Sequence, residues 1–160
     1  MKIKSLTKKD FQKAIKLIEI AFGRIGKEEA RAARFYWGLK DKIKSKIFRE
    51  MKYFLAVEDS KVIGICGLYS WQYHPKDIAW LGWFGVLPAY RKQRIGSKLL
   101  AHTLEYARNK GYRIFCIEST THKDQSEARK LYKEFGFSKR GKIPNFFKNY
   151  DILYLSKKLK

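Results

Sequence analysis

The sequence predicts a mixed α/β domain, an α+β arrangement with a central twisted sheet of about six or seven strands flanked by about four helices. Three observations lead there. A strand, helix, strand crossover occupies residues 78–119. Short β-rich runs separated by turn residues lie on both sides of it, and segments near each end carry apolar residues at helical spacing. At 160 residues the chain fits one domain with a real core, so residues 1–160 are expected to form a single unit without repeat, linker or low-complexity tract.

The elements follow in order. Ile3 to Leu6 reads as a short strand, and Thr7 with Asp10 three residues later has the spacing of a capping box. Phe11, Ala14, Ile15, Ile18 and Phe22 then form one apolar stripe, which predicts a first helix to about Phe22. Gly23 and Gly26 break it, and Glu28 to Phe48 reads as a second, strongly basic helical region whose apolar content is Tyr36, Trp37, Ile43 and Ile47. "YFLAV" and "KVIGICGLY" around "EDS" signal a hairpin. "IAWLGWFGV" is a third strand-like run, apolar enough for a central strand covered on both faces, and Pro88 ends it. From Ile95 the residues Leu99, Leu100, Leu104, Tyr106 and Ala107 share one half of a helical wheel, with Gly111 as the closing glycine. "YRIFCIES" is a further strand. A last helix is expected from a cap at Asp124, with Glu127 as its box partner, through Ala128, Leu131, Tyr132 and Phe135 to Gly136. Two strands, near "FSKRGKI" and "ILYLSKKL", complete the chain.

Composition narrows the partners. Lys and Arg number 36 against 15 Asp and Glu, a formal charge of +21, so an anionic partner such as nucleic acid, a ribonucleoprotein, an acidic peptide or a phosphate-rich small molecule is expected. A solvated lysine-rich surface accounts for most of the same residues, because they are spread along the whole chain. No run of eighteen apolar residues is present for a membrane span, and residues 1–10 alternate charge with single hydrophobes, which reads as a soluble, cytoplasmic protein. Cys66 and Cys116 lie in apolar runs without a CxxC partner, consistent with reduced core residues. Three scattered histidines and no acidic cluster predict no metal site.

The stretch "LPAYRKQRIGSKLL" concentrates Arg91, Lys92 and Arg94 between a strand and a helix beginning near Ile95. Unpaired N–H groups and the positive end of the helix dipole meet there, as in a phosphate site, and Gly96 allows close backbone approach. An ordinary exposed loop explains the same letters. Nucleotide loops of the G-x-x-x-x-G-K-[ST] or G-x-G-x-x-G type are absent.

"VLPAYRKQRIGSKLL", followed by a strand and then "ARKLYKEFGF", resembles the GNAT superfamily of N-acetyltransferases, whose signatures are V-x-P-x-x-[QR]-x-x-G-x-[GA] and A-x-x-L-Y-x-x-x-G-F. The resemblance extends over the element order of the whole chain. It implies a GNAT-like domain using acetyl-CoA as cosubstrate, with the pyrophosphate received by Arg91, Lys92, Gln93, Arg94, Ile95, Gly96 and Ser97. The pantetheine arm would run along the strand Trp80 to Val86, with contacts from Phe84, Gly85 and Val86 and the N–H near Val86 aimed at the thioester carbonyl. Two positions depart from the pattern. Arg94 stands where the family has its first glycine, and Gln125 where many members have asparagine.

Acetyl transfer needs an unprotonated amine, a site for the developing oxyanion and a proton for the departing thiolate. By resemblance Tyr132 is the acid on the last helix and a further cofactor contact, although its place on the apolar stripe equally suits a core residue. Glu118, a carboxylate in an apolar strand, is the candidate base. The competing reading is a solvent-facing strand residue; His122 and His74 are weaker alternatives. For the acceptor, a protein or peptide amine is slightly favoured over a small-molecule amine. "SWQYHP", Trp80, Trp83 and "NFF" offer an aromatic wall, and Lys27, Arg31, Arg34, Lys40, Lys42 and Lys44 offer a surface for an acidic peptide. Oligomeric state is open between monomer and homodimer. The alternative from another class is a basic nucleic-acid or ribonucleoprotein binding module of the same fold without turnover.

Overall fold

The computed structural model describes residues 1–160. Strands β1 (Lys2–Ser5), β2 (Phe48–Glu58), β3 (Lys61–Trp71), β4 (Ile78–Leu81), β5 (Gly85–Val86), β6 (Ile114–Thr120), β7 (Ser138–Phe147) and β8 (Tyr150–Lys158) form one mixed sheet. The order is β1-β2-β3-β4-β6-β8-β7, with β5 paired separately to β3. All pairings are antiparallel except β4 with β6. Helices α1 (Phe11–Ala21), α2 (Gly26–Gly38), α3 (Asp41–Ile47), α4 (Ile95–Asn109) and α5 (Ser126–Glu134) complete the fold.

The two sheet faces carry separate cores. On one, Cys66, Leu68, Ala79, Phe115 and Ile117 pack against Leu99, Leu100 and Leu104 of α4 and Tyr132 of α5. On the other, Leu55 and Ile65 pack against Ala14, Ile15 and Ile18 of α1 and Ala33 and Trp37 of α2. Side chains of β3 enter both layers, Val62 and Ile65 one and Ile63, Cys66 and Leu68 the other, with a bulge at Ile63–Gly64 shifting the alternation, which is why a nearly continuous apolar run suits this central strand. The α1 stripe is thus buried as its spacing predicts. Thr7 and Asp10 form the expected box around a short 3-10 turn leading into α1. Thr7 N–H and Oγ1 donate to Asp10 Oδ2, at 3.2 and 2.7 Å, and Lys4 Nζ donates to Oδ1 at 2.7 Å. These bonds hold the Asp10 carboxyl below its ordinary pKa.

Several boundaries differ from the sequence expectation. The basic region between Glu28 and Phe48 is two helices, because Gly38 ends α2 and Leu39 and Lys40 are extended. Lys44 Nζ then donates to the Trp37 carbonyl at 3.2 Å and satisfies one exposed helix end. Strand β2 begins at Phe48, five residues before "YFLAV". There the Arg49 guanidinium donates to the carbonyls of Trp71 (3.0 Å), Gln72 (2.9 Å) and His74 (3.3 Å), a tertiary clamp with no local signal. The β2–β3 hairpin closes through Asp59 and Ser60, both at positive φ, as the right-handed strand twist requires. Asp124 caps nothing: His122 caps the short 3-10 turn Lys123–Gln125, its Nδ1 accepting from Asp124 N–H at 3.2 Å, Gln125 stands at the start of α5 without a side-chain cap bond, and Glu127 pairs with Lys130 at 2.7 Å. Cys66 is buried on the α4 face, where burial pushes its thiol up to about 12. Cys116 is half-buried on the opposite face; both thiols are free.

The run Ile78 to Val86, expected as one strand, is divided. Leu81 and Trp80 pair with Leu68 and Tyr69, then Val86 and Gly85 pair with Gly64 and Ile65, all on the same partner β3. Between them Gly82 N–H donates to the Gly67 carbonyl at 2.8 Å. The buried Tyr53 ring fills the space beside this break. A Cβ at Gly67 would lie 2.2 Å from Tyr53 Cδ1 and 2.5 Å from the Lys52 carbonyl, and one at Gly82 would lie 2.3 Å from the Tyr53 hydroxyl. Beyond the break β4 pairs with β6 but β5 does not, so the sheet opens between β5 and β6. Gly67→Ala should therefore cost about 3 kcal/mol of stability, since its Cβ meets backbone as well as side chain. Chemical denaturation measures this, and a loss under about 0.5 kcal/mol would contradict the packing described.

Candidate active site

The unpaired edge of β5 is the first component. Leu87 N–H donates to the Ile63 carbonyl at 3.0 Å, so alternation in the antiparallel ladder turns the N–H and C=O of Val86 away from β3. The Val86 carbonyl accepts from Arg91 Nε at 3.1 Å. Its N–H remains directed into the opening of the sheet. Gly85 lets β5 approach α1 closely, for a Cβ there would lie 3.0 Å from the Phe22 ring and 3.2 Å from Ala21 Cβ.

The loop before α4 is the second. No hydrogen bond within the chain takes the backbone N–H groups of residues 92–97, so this first turn of a 15-residue helix presents a row of donors with the positive end of the dipole. Lys92 (φ 61°) and Arg94 (φ 59°) are both left-handed, which curls the chain around those donors. Arg94 stands where the family pattern has glycine, and the backbone there adopts the conformation that glycine favours. Its side chain is exposed, as are those of Lys92 and Gln93, whereas Ile95 is buried in the core and Ser97 is half-buried. Arg91 has a different role from the countercharge expected of it. Its Nη2 donates to the Ala21 carbonyl at 2.8 Å, so the guanidinium straps the loop to the end of α1 and to β5. At Gly96 a Cβ would lie 3.4 Å from the Phe84 ring and 3.8 Å from Leu131, so this glycine keeps open the space between β5 and α5 that a larger side chain would fill.

Tyr132 sits beside that space, with its ring centroid 6.1 Å from those of Phe84 and Phe137. It is buried, and desolvation raises the phenol pKa well above its ordinary value, keeping it protonated at neutral pH. Its hydroxyl has no hydrogen-bond partner in the chain. Trp37 Nε1 is the only fully sealed side-chain polar atom in that condition, so the Tyr132 hydroxyl is not completely sealed. Gln125 uses its side-chain carbonyl within the fold, accepting from Ser119 Oγ at 2.6 Å and Thr120 N–H at 2.9 Å. It ties the end of β6 to the start of α5.

Glu118 occupies the other face of the sheet. Its neighbours Ile117 and Ser119 point toward α4 and α5, so Glu118 points away, opposite Tyr154 of β8. The carboxylate is solvent-accessible, yet desolvation by surrounding side chains, with a contribution from Glu29, raises its pKa. Tyr132 and Glu118 therefore approach the opening from opposite faces. His74 accepts from Trp80 Nε1 at 3.2 Å, and His122 stacks edge-on to Tyr150 at 4.9 Å besides capping its turn. Both have structural partners. No group of three or more His, Cys, Asp or Glu is arranged to hold a metal ion, and no helix is long and apolar enough to cross a membrane.

Sequence reasoning missed one participant. Glu29 of α2 accepts from Trp83 Nε1 at 2.8 Å, which places its carboxylate beside the break between β4 and β5. In sequence it reads only as an acidic residue in the first turn of a helix.

Comparison with known proteins bears on the family and the fold. The model of the acetyltransferase (GNAT) family matches residues 12–137. The protein named "Probable N-acetyltransferase camello" from Xenopus laevis is 35% identical over 98 residues, covering 61% of this chain and 43% of that protein. Aminoalkylphosphonate N-acetyltransferase of Salmonella typhimurium is 34% identical over 88 residues, covering 53% and 55%. The chain thus spans about half the length of the curated relatives it matches. A crystal structure assigned to the GNAT family from Desulfovibrio desulfuricans superposes with a TM-score of 0.86 at 19% identity over 99% of both chains. An aminoglycoside 6'-N-acetyltransferase in complex with coenzyme A gives 0.76 at 14% identity, covering 100% of this chain and 98% of that one. With more than half of its length matched by the family model, this chain belongs to the GNAT acetyltransferase family.

Proposed function

We propose that the protein transfers an acetyl group from acetyl-CoA to a primary amine, by direct attack with both substrates bound. A protein or peptide amine is slightly preferred to a small-molecule amine. The observation that carries the reading is the row of N–H groups at residues 92–97, unpaired within the chain, next to the free edge of β5. Donors in such a row suit pyrophosphate, and an edge with an outward Val86 N–H suits an extended amide chain and then a carbonyl.

Under this reading each residue has a definite part. Lys92 and Arg94 add countercharge beside the donors, while Arg91, already committed to two carbonyls, holds the loop in register. Phe84 and Gly85 border the arm, Ile95 anchors the helix start, and Gly96 and Ser97 present N–H groups. Gln93 donates to the Ala89 carbonyl at 3.4 Å and steadies the preceding turn, and Gln125 supports the far wall. Acetyl-CoA supplies the acetyl group as a thioester. The Val86 N–H stabilises negative charge on the carbonyl oxygen. The ammonium nitrogen loses two protons on becoming an amide and the sulfur gains one. Glu118 accepts the first before attack, directly or through water, and passes it to solvent. Tyr132, held protonated by burial, donates to the sulfur as the C–S bond breaks and is reprotonated by the second proton, which the nitrogen releases as the tetrahedral adduct collapses.

Calorimetric titration with acetyl-CoA and with CoA tests the assignment, with saturable one-site binding expected for both. Gly96→Ala should retain that affinity and Gly96→Trp should lose more than about tenfold, with folding monitored separately; unchanged binding in a folded Gly96→Trp protein would overturn the loop assignment. No binding, together with steep salt-dependent affinity for RNA, would instead support a nucleic-acid module. Tyr132→Phe should lower turnover about 10²-fold or more while leaving acetyl-CoA affinity intact; full activity would remove it from the mechanism. Because the Glu118 carboxylate must be deprotonated to act and its pKa is raised, the wild-type rate should fall as pH drops through that value. Glu118→Gln should run slower and lack this acidic limb, and a retained limb would assign the base elsewhere.

A further inference from the structure

The acceptor face of the cleft has a charge opposite to that of the molecule. Glu29 on α2 and Glu118 on β6 flank the break in the sheet, one fixed by Trp83 Nε1 and the other rising from the open sheet face. The chain carries 36 Lys and Arg, yet neither carboxylate belongs to any of its ion pairs. Two carboxylates within electrostatic reach of one another, and left unneutralised in so basic a protein, oppose folding stability slightly. Their mutual repulsion adds to the effect of burial at Glu118.

The walls between them are aromatic. Trp83 packs on Tyr53 at 5.5 Å, Trp37 at 5.3 Å and Tyr36 at 6.5 Å. Across the opening, Trp80 lies opposite Tyr69 in the β3–β4 register and meets Tyr154 edge-on at 6.4 Å, with its indole nitrogen held by His74. Aromatic faces beside carboxylates attract organic cations through both charge and ring quadrupole, and they disfavour anions.

We propose that this face selects an amine acceptor bearing a second, non-reacting positive charge, which Glu29 holds against the Trp83 wall while the reacting amine lies at Glu118. The inference rests on the acetyl-transfer reading and specifies its substrate class. A diamine and a peptide with a basic residue beside its reacting amine share this chemistry. The high overall charge steers anionic surfaces toward the outside of the molecule, but it does not describe the reacting end of the acceptor.

Thiol release from acetyl-CoA tests it with three acceptors of similar length: 1,4-diaminobutane, 1-aminobutane and 4-aminobutanoate. Two tripeptides with a free N-terminus, Ala-Lys-Gly and Ala-Glu-Gly, form a second arm that separates small-molecule from peptide sources. Expected is a preference in kcat/KM of at least about tenfold for the cationic member of either arm. Glu29→Gln should reduce that preference about tenfold, read mainly in KM, with acetyl-CoA affinity by calorimetry unchanged. Equal use of cationic and neutral acceptors, preference for 4-aminobutanoate or Ala-Glu-Gly, an unaltered preference in the variant, or acetyl-CoA binding without turnover of any cationic acceptor would each overturn the inference alone. Absence of acetyl-CoA binding would overturn the acetyl-transfer reading with it.

Discussion

The arrangement of the site depends on one packing constraint: the Tyr53 ring wedged against Gly67 and Gly82. With no side chain on either glycine, β3 and the 82–84 segment approach the ring closely, and β3 receives two short partners in succession instead of one long strand. A continuous strand over residues 78–86 would pair with β6 along its length and seal the sheet. The division leaves β5 with an unpaired edge and puts Val86 beside the N-terminus of α4. The unpaired N–H groups of residues 92–97, the Val86 N–H and Tyr132 are then gathered at one opening.

Much of this was legible in the sequence, because the legible parts rest on local chemistry. The α1 stripe, the Thr7–Asp10 box, the Asp59–Ser60 turn and the Pro88 stop each arise from spacing or backbone preference within a few residues. The two motifs around Arg91 and Tyr132 likewise carry their context with them. What escaped was decided by contacts between distant residues. Nothing near Phe48 signals a strand, because β2 is extended by Arg49 reaching carbonyls more than twenty residues away. The division of "IAWLGWFGV" is set by Tyr53, and Glu29 joins the site only through Trp83.

The role of Arg91 illustrates how composition misleads at single residues. A cluster of three cations before a helix reads as countercharge, yet one of them is a strap between two backbone carbonyls. Arg94 shows the reverse: it stands where the family pattern has glycine, and its backbone takes the left-handed conformation that glycine adopts without strain. The same distinction holds for the whole molecule. Its net charge of +21 is a property of the whole chain, whereas the break in the sheet is flanked by two carboxylates and aromatic rings.

Amide hydrogen exchange followed residue by residue, with and without acetyl-CoA, tests the central claim most directly. Cofactor binding at the split sheet predicts slowed exchange at Val86 and at residues 92–97, whose N–H groups have no partner within the chain, with the β7–β8 hairpin unaffected. Protection absent from these amides, or confined to the basic face of α2, would contradict the account.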